Sequence, residues 1–407
     1  MLELRLDLLQ TLSLAAVVYY LGIKLRQRLG LLDRLNIPSA VVGGLGFAAV
    51  AFICRDRWLN LTLDTSAQAV LNVAFFTTIG MGASLALLRR GGRAVVVFLV
   101  FAVATCFIQN GVGVGIASAL GQSPLLGVMA GSVTMVGGPG TGMAFAPLFE
   151  AAGLNGAAVI AITAAVFGIV AGGLAGNPLG TALIRRYHLL TRQRDMHGEL
   201  REELAFPAAH PARGFMVEIE REDTLVIRNF AVLAVAMGIG SLLGHWIQKT
   251  GLTLPAYIGA MIFASLLRNL DEATGWLGID EQAMEFLGGV ALNIFLVVAL
   301  MDLRIWELAG QTLPLLAILL AQVALVALLA WFGTFRLMGR DYDSAVMSSG
   351  FVGFALGTTA NAVVNMQALI IRYGPSPRAF LVVPLVGAFF IDFINALIIT
   401  LFVNWIG

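Results

Sequence analysis

Two short glycine-rich interruptions stand at matching places in the two halves of a chain that is otherwise apolar along most of its length. The first reads Val136-Gly-Gly-Pro-Gly-Thr-Gly142, and the second lies within Gly353-Phe-Ala-Leu-Gly-Thr-Thr-Ala-Asn361. Lipid offers no hydrogen bonds to bare peptide groups, so broken backbone at membrane depth survives only where protein covers it or where it lines a cavity. Broken helices at equivalent depths of two repeats point to a transporter's substrate site. A solute pathway is therefore the first expectation.

Composition supports a membrane setting. Of 407 residues, 59% are hydrophobic and 12% charged, against roughly 25% charged in soluble domains. A formal net charge of +1 gives no electrostatic reason to expect a nucleic-acid partner. Cys54 and Cys106 are the only cysteines, and His188, His197, His210 and His245 are scattered, so no zinc-like spacing arises. With no metal cluster, nucleophile–base pair or nucleotide loop, the pattern disfavours an enzyme. The first apolar run, 8–23, is read as a retained helix, because Lys24, Arg26, Arg28 and Arg34 follow it rather than precede it.

A spanning helix needs roughly 20 mostly apolar residues. Candidate spans are 8–28, 38–55, 69–88, 93–120, 154–182, 225–248, 254–270, 284–303, 312–337 and 379–405. Between the fourth and fifth lies 124–151, and between the ninth and tenth 343–370; both are apolar yet broken near the middle. A half of about 11 helical residues covers only ~16 Å. Each broken segment is therefore expected to be a re-entrant hairpin. With the amino terminus outside, twenty Lys and Arg fall on the inner side and five on the outer, as the positive-inside rule requires. Both termini are then outside. Trp58, Trp246, Trp306 and Trp405 fall at outer helix ends, where an interfacial aromatic belt belongs.

A polar, proline-containing stretch divides the chain into a first membrane repeat (1–182), a cytoplasmic linker (183–224) and a second repeat (225–407). Leu35-Asn-Ile-Pro38 echoes Leu252-Thr-Leu-Pro255 at a shift of 217, Gly91 echoes Gly310 at 219, and Gly121 to Met129 echoes Gly339 to Met347 at 218. So constant a shift argues for internal duplication. Five spans per half is odd, so the copies face opposite ways. The expected fold is all-α: two inverted repeats of about five spans, each with a re-entrant hairpin. Alternating access is the natural use of such a pairing.

Specific stretches carry a family likeness: Asn72-Val-Ala-Phe-Phe-Thr-Thr-Ile-Gly80, Gly137-Gly-Pro-Gly-Thr141, Asn365-Met-Gln367 and the long Phe380-Leu-Val-Val-Pro-Leu-Val-Gly-Ala-Phe-Phe-Ile-Asp392. On these the chain resembles the bacterial sodium/glutamate symporters, over nearly its whole length outside the central linker. The resemblance implies sodium-coupled uptake of L-glutamate across the bacterial inner membrane. Likeness to the related 2-hydroxycarboxylate carriers further implies a homodimer and an elevator-like motion. Pro139 and Ala360 stand where the family commonly has His and Pro. Both fall at hairpin tips, so a carrier of another small anion, such as a dicarboxylate or hydroxycarboxylate coupled to sodium or protons, is the alternative.

Glutamate brings two carboxylates and one ammonium, and burying an unpaired ion is prohibitively costly. Glycine lets backbone N–H groups approach an anion without a Cβ in the way, and a helix starting after each tip adds its partial positive end. Gly137, Gly138, Gly140 and Thr141 are expected to hold one carboxylate; Gly357, Thr358 and Thr359 hold another or help coordinate sodium. The competing reading is that these glycines only permit close packing. Packing is the preferred reading for Gly168, Gly172 and Gly176, spaced by four in the fifth span. Asp392, the one acidic residue near the middle of a span, is expected to hold the ammonium or a sodium ion, or to bond a neighbouring helix. Arg372 is either a carboxylate partner or a positive-inside anchor. Ser132, Thr134, Ser348, Ser349, Asn361 and Asn365 offer the hard oxygens that sodium needs, by analogy with other hard cations. Gln109 and Asn110 are placed to line the same cavity.

Overall fold

The computed structural model describes residues 2–55, 59–189, 219–249, 255–308 and 310–406. Arg57, Trp58, most of the expected linker (190–218) and the 251–254 part of the sequence echo lie outside the described residues.

The first half holds α1 (Leu8–Arg28), α2 (Gly30–Arg34), α3 (Ser39–Cys54), α4 (Ala67–Gly82), α5 (Leu85–Arg90), α6 (Gly92–Ala119), α7 (Pro124–Val128), α8 (Gly138–Ala151) and α9 (Ala157–Arg186). The second holds α10 (Ile219–Gln248), α11 (Ala256–Thr274), α12 (Glu281–Met301), α13 (Thr312–Leu328), α14 (Tyr342–Leu356), α15 (Thr359–Tyr373), α16 (Pro377–Phe389) and α17 (Ile391–Ile406). π turns extend α7 through Met129–Val133 and α13 through Leu329–Thr334. Among the described residues, α1, α6, α9, α10, α12 and α13 are long and apolar enough to cross a bilayer. The chain is an all-α polytopic membrane protein, save for one small sheet.

Several expected spans differ from single straight helices. Segments 38–55 and 69–88 form the 16-residue helices α3 and α4, each about 24 Å long. The second stops at Gly82, and Asn269 of α11 stitches the break: its Nδ2 donates to the Ala83 carbonyl at 2.9 Å and its Oδ1 accepts from Leu85 N at 2.9 Å. Span 379–405 is two helices, α16 and α17, bent by 44° at Phe390. Leu2–Leu6 and Leu59–Leu63 pair as a parallel two-stranded sheet, Leu2 opposite Leu59. Their Leu-x-Leu-x-Leu alternation has the period of a strand.

The helices sort into two packing sets. α1, α3, α4, α10, α11 and α12 pack on one another, while α6 to α9 and α13 to α17 form the other set. Contacts between the sets include α8 on α12, α16 and α17 on α4, and α17 on α11. Phe145 of α8 meets Phe76 of α4 and Tyr257 of α11 edge-on, with ring centroids 6.0 and 5.3 Å apart.

Between helices in lipid, close packing replaces the hydrophobic drive, and small residues permit it. On α9, Gly168 abuts the Leu356 carbonyl, Gly172 leaves room for Leu356 and for the Val352 and Gly353 carbonyls, and Gly176 abuts the Asn365 amide. This stripe, as the spacing suggests, is the bed on which α14 and α15 lie. Gly168→Ala is expected to cost about 1–3 kcal/mol by overpacking and to lower the thermal midpoint in detergent. Gly173→Ala on the same helix, with open space around its Cβ position, leaves the midpoint unchanged.

Candidate functional site

The first interruption is built by a local failure of the helix. Gly131, inside the π turn, has ψ −133°, and beyond it Val136 N and Gly137 N both donate to the Ser132 carbonyl, at 3.3 and 3.1 Å. The Thr134 hydroxyl donates to the Met129 carbonyl at 2.7 Å. α8 then starts at Gly138, with φ +65° and Pro139 in its first turn, where a missing N–H costs nothing. The second interruption falls at Gly357 and Thr358. Thr358 is the N-cap of α15: its hydroxyl accepts from Asn361 N at 3.4 Å and its carbonyl from Ala362 N at 3.2 Å.

The two interruptions touch. A Cβ on Gly138 would lie 3.3 Å from the Gly357 carbonyl oxygen and 3.5 Å from the Thr358 methyl. Two helix N-termini, those of α8 and α15, therefore converge on one place. The first N–H groups of a helix have no intrahelical acceptor; the Thr358 hydroxyl caps one of those of α15, and the junction carries two partial positive ends.

Around it stand residues from both packing sets. Gly140 lies against Leu292 of α12 and Phe75 of α4, and Thr359 lies against Gly387 of α16. A cavity of about 250 Å³ adjoins, lined by Phe75, Thr78, Leu292, Phe389 and Asp392, with Glu281 and Glu285 toward one end. Its lining includes three carboxylates and no Lys, Arg or His. Asp392 sits in the first turn of α17, just past the Phe390 bend. Ala360, in the second tip, is exposed.

The candidate oxygens lie on the helices that flank the two interruptions. Ser132, Thr134, Ser349, Asn361 and Asn365 are all buried. Asn361 Nδ2 donates to the Ile169 carbonyl at 2.8 Å and Asn365 Nδ2 to the Gly172 carbonyl at 3.0 Å. Ser132 Oγ, Ser349 Oγ and Asn361 Oδ1 are buried without a hydrogen-bond partner. Two other candidates are engaged or placed differently. The Ser348 hydroxyl is satisfied within its own helix, donating to the Ser344 carbonyl at 2.7 Å. Arg372 is exposed in the last turn of α15, beside the Tyr373 ring, about 20 Å along the helix from Thr359. Two further buried amides were not among the expected residues: Gln322 of α13, whose Nε2 donates to the Gln109 carbonyl at 2.7 Å, and Asn395 of α17, whose Nδ2 donates to the Ser132 carbonyl at 2.9 Å. The sequence signal for both is an amide inside an apolar span.

Residues 4–375 match the family described as Sodium/glutamate symporter. The chain belongs to the sodium/glutamate symporter family. It is 40% identical over 399 residues to the sodium/glutamate symporter of Escherichia coli (strain K12), covering 98% of this chain and 97% of that protein. The Shigella flexneri sodium/glutamate symporter matches to the same extent. That of Haemophilus influenzae is 39% identical over 392 residues, 95% of each chain. The last two relatives and the first span both interruptions, so the junction lies within the shared length.

Proposed function

We propose that the junction of the two interruptions is the substrate receptor of an elevator-like carrier built from two inverted repeats. The chain is a sodium-coupled glutamate symporter, a secondary transporter and not an enzyme. The observation that carries the receptor reading is the contact of Gly138 with Gly357 and Thr358, where two helix N-termini confront each other.

In this reading the first-turn N–H groups of Gly138 and Gly140, with the Thr141 hydroxyl, hold one carboxylate of glutamate. The N–H groups and hydroxyls of Thr358 and Thr359, with the Gly357 backbone, hold the other. Asp392 takes the ammonium or a sodium ion. Hydrogen bonds to a charged group are worth about 1.5–3 kcal/mol each, so a few of them, less ordering costs, reach the roughly −8 kcal/mol of micromolar binding. Ser132, Thr134, Ser349, Asn361 and Asn365 supply sodium oxygens. Ser348, like Thr134, donates its hydroxyl hydrogen within its own helix and keeps its lone pairs for the ion, and Arg372 acts as an anchor at the inner interface. Carrying an anion into a negative interior costs about 2.3 kcal/mol per charge per 100 mV, so more than one sodium accompanies each glutamate.

The repeats are 1–182 and 225–407, joined by the 183–224 linker, with both termini outside. Equivalent corners support the duplication. Pro38 and Pro255 are the N-caps of α3 and α11, with φ/ψ of −58/140° and −57/145°. Ser123 and Asp341, 218 residues apart in the sequence, are the N-caps of the two hairpins' first helices. The packing is also exchanged as an inverted pair demands: α3 lies on α12 and α11 on α4, while α1 lies on α12 and α10 on α4. The set holding both hairpins is the moving body and the other set the scaffold. The homodimer follows from likeness to the 2-hydroxycarboxylate carriers.

Reconstituted counterflow tests the assignment. Labelled L-glutamate is expected to accumulate only with sodium, saturably, and to be displaced poorly by dicarboxylates and hydroxycarboxylates. Accumulation of those anions instead, or a proton gradient replacing sodium, transfers the assignment to the other anion carrier that Pro139 and Ala360 bring into play.

A further inference from the structure

α6 carries two consecutive buried amides, Gln109 and Asn110, both fully shielded from solvent. Neighbouring residues on a helix point about 100° apart, and these two reach different hairpins. Gln109 Nε2 donates to the Ala355 carbonyl at 2.9 Å, two residues before the second interruption. Asn110 Oδ1 accepts from Ser132 N at 2.8 Å, in the π turn that leads to the first. Gly131 leaves room for this approach: a Cβ there would lie 2.6 Å from Asn110 Oδ1. Each bond engages main chain, the part of each hairpin that sets where its tip lies.

A network serving only stability would be expected to satisfy its members, because an unpaired buried polar atom is costly. Here Gln109 Oε1 and Asn110 Nδ2 have no partner. What the pair gains for that cost is a fixed geometric relation between the main chains of two hairpins that are far apart in sequence, added to the bed that α9 gives both.

We infer that Gln109 and Asn110 are positioning residues for transport: one dipeptide holds both interruptions in register, so that the two helix N-termini act on glutamate as a single receptor. The inference rests on the reading of the junction as the substrate site. Neither side chain touches substrate. Release of either bond lets one tip drift, and a receptor built from two half-sites loses affinity when their separation varies.

The test is uptake kinetics in proteoliposomes at saturating sodium for Gln109→Met, Asn110→Leu and the double variant, with thermal midpoints of the ligand-free protein. Each single variant is expected to raise KM for glutamate about tenfold, the loss of one hydrogen bond to a charged guest, with kcat changed far less. The double variant is expected to raise it by clearly less than the product of the two, since either release already uncouples the tips. Thr105→Val, which removes a buried hydroxyl bonded within α6 itself, is expected to leave KM alone. Unchanged KM in both single variants, a full product in the double, or losses that follow the ligand-free midpoint overturn the inference. Should a variant not accumulate, Gln109→Asn, which keeps the amide but withdraws it from Ala355, takes its place. Failure of that variant to accumulate assigns the pair to folding and also overturns it. If Gly138→Ala shifts KM while these variants do not, only the coupling falls; if Gly138→Ala has no effect, the receptor reading itself falls.

Discussion

Asp392→Asn is expected to lower sodium-driven glutamate uptake by about a hundredfold or more, the factor that ~3 kcal/mol of lost charge interaction represents, while the protein accumulates normally. The substitution keeps the shape of the side chain and its place in the first turn of α17, and removes only the charge. Asp392 lines the cavity together with Phe75 and Leu292, the two residues against which Gly140 of the first tip lies. Among the described residues no ion pair engages it. A carboxylate kept at membrane depth without a protein cation is costly, and a cation brought by the transported species relieves that cost. The structural alternative, a bond from Asp392 to a neighbouring helix, is weakened by Asn395: one turn further on, it already makes that connection, to the Ser132 carbonyl. Comparing KM for glutamate with the sodium concentration for half-maximal uptake separates the two guests. A rise in the first alone assigns the ammonium; a rise in the second assigns sodium. Near-normal uptake in proteoliposomes rejects both.

The broad plan of the molecule was readable because lipid makes the code severe. Run length marks helices, and a run broken by Gly and small polar residues marks backbone that must be covered. Segments 124–151 and 343–370, expected to be broken, are each a pair of helices with an interruption between them, Pro124 to Ala151 and Tyr342 to Tyr373. What escaped was decided by residues distant in sequence. The break at Ala83 depends on Asn269, whose amide serves groups on both sides of it. The bend at Phe390 falls among aromatics, with Gly387 and Pro384 within two turns before it, residues frequent enough in membrane helices that they do not by themselves mark a break. The leucine alternation at 2–6 and 59–63 was visible, but a lone five-residue strand says nothing about its partner. At the site, residue type drew attention to the tips and to Asp392; what it did not show is that Arg372 lies about 20 Å along α15 from Thr359 and that the Ser348 hydroxyl bonds within its own helix. Nearness in sequence to an interruption is not nearness in space once a helix intervenes. Gln322 and Asn395 carried the same signal as Gln109 and Asn110, an amide in an apolar run, and only packing reveals which main-chain groups they reach.

Gly138→Ala, set beside Gly153→Ala, separates backbone strain from damage to the receptor. Gly138 has φ +65° and Gly153 φ +101°, so alanine at either position meets the left-handed penalty, about 1–2 kcal/mol. Their surroundings differ. Nothing lies within 4 Å of a Cβ on Gly153, whereas one on Gly138 would stand 3.3 Å from the Gly357 carbonyl oxygen and 3.5 Å from the Thr358 methyl. Relief by a few tenths of an ångström must move one tip away from the other, or turn the first N–H groups of α8 away from the junction. Hydrogen bonds weaken steeply as they lengthen or tilt, and a bidentate guest held from two sides feels both changes. Gly138→Ala is therefore expected to raise KM for glutamate about tenfold or more, one to two charge-assisted bonds, with a smaller effect on kcat. Gly153→Ala is expected to lower the thermal midpoint by a similar or greater amount and to leave KM unchanged. Equal KM in the two variants means that the tips meet for packing alone. A KM shift confined to Gly138→Ala, at matched loss of stability, has no explanation in folding and leaves the contact between the two helix ends as the place where glutamate is held.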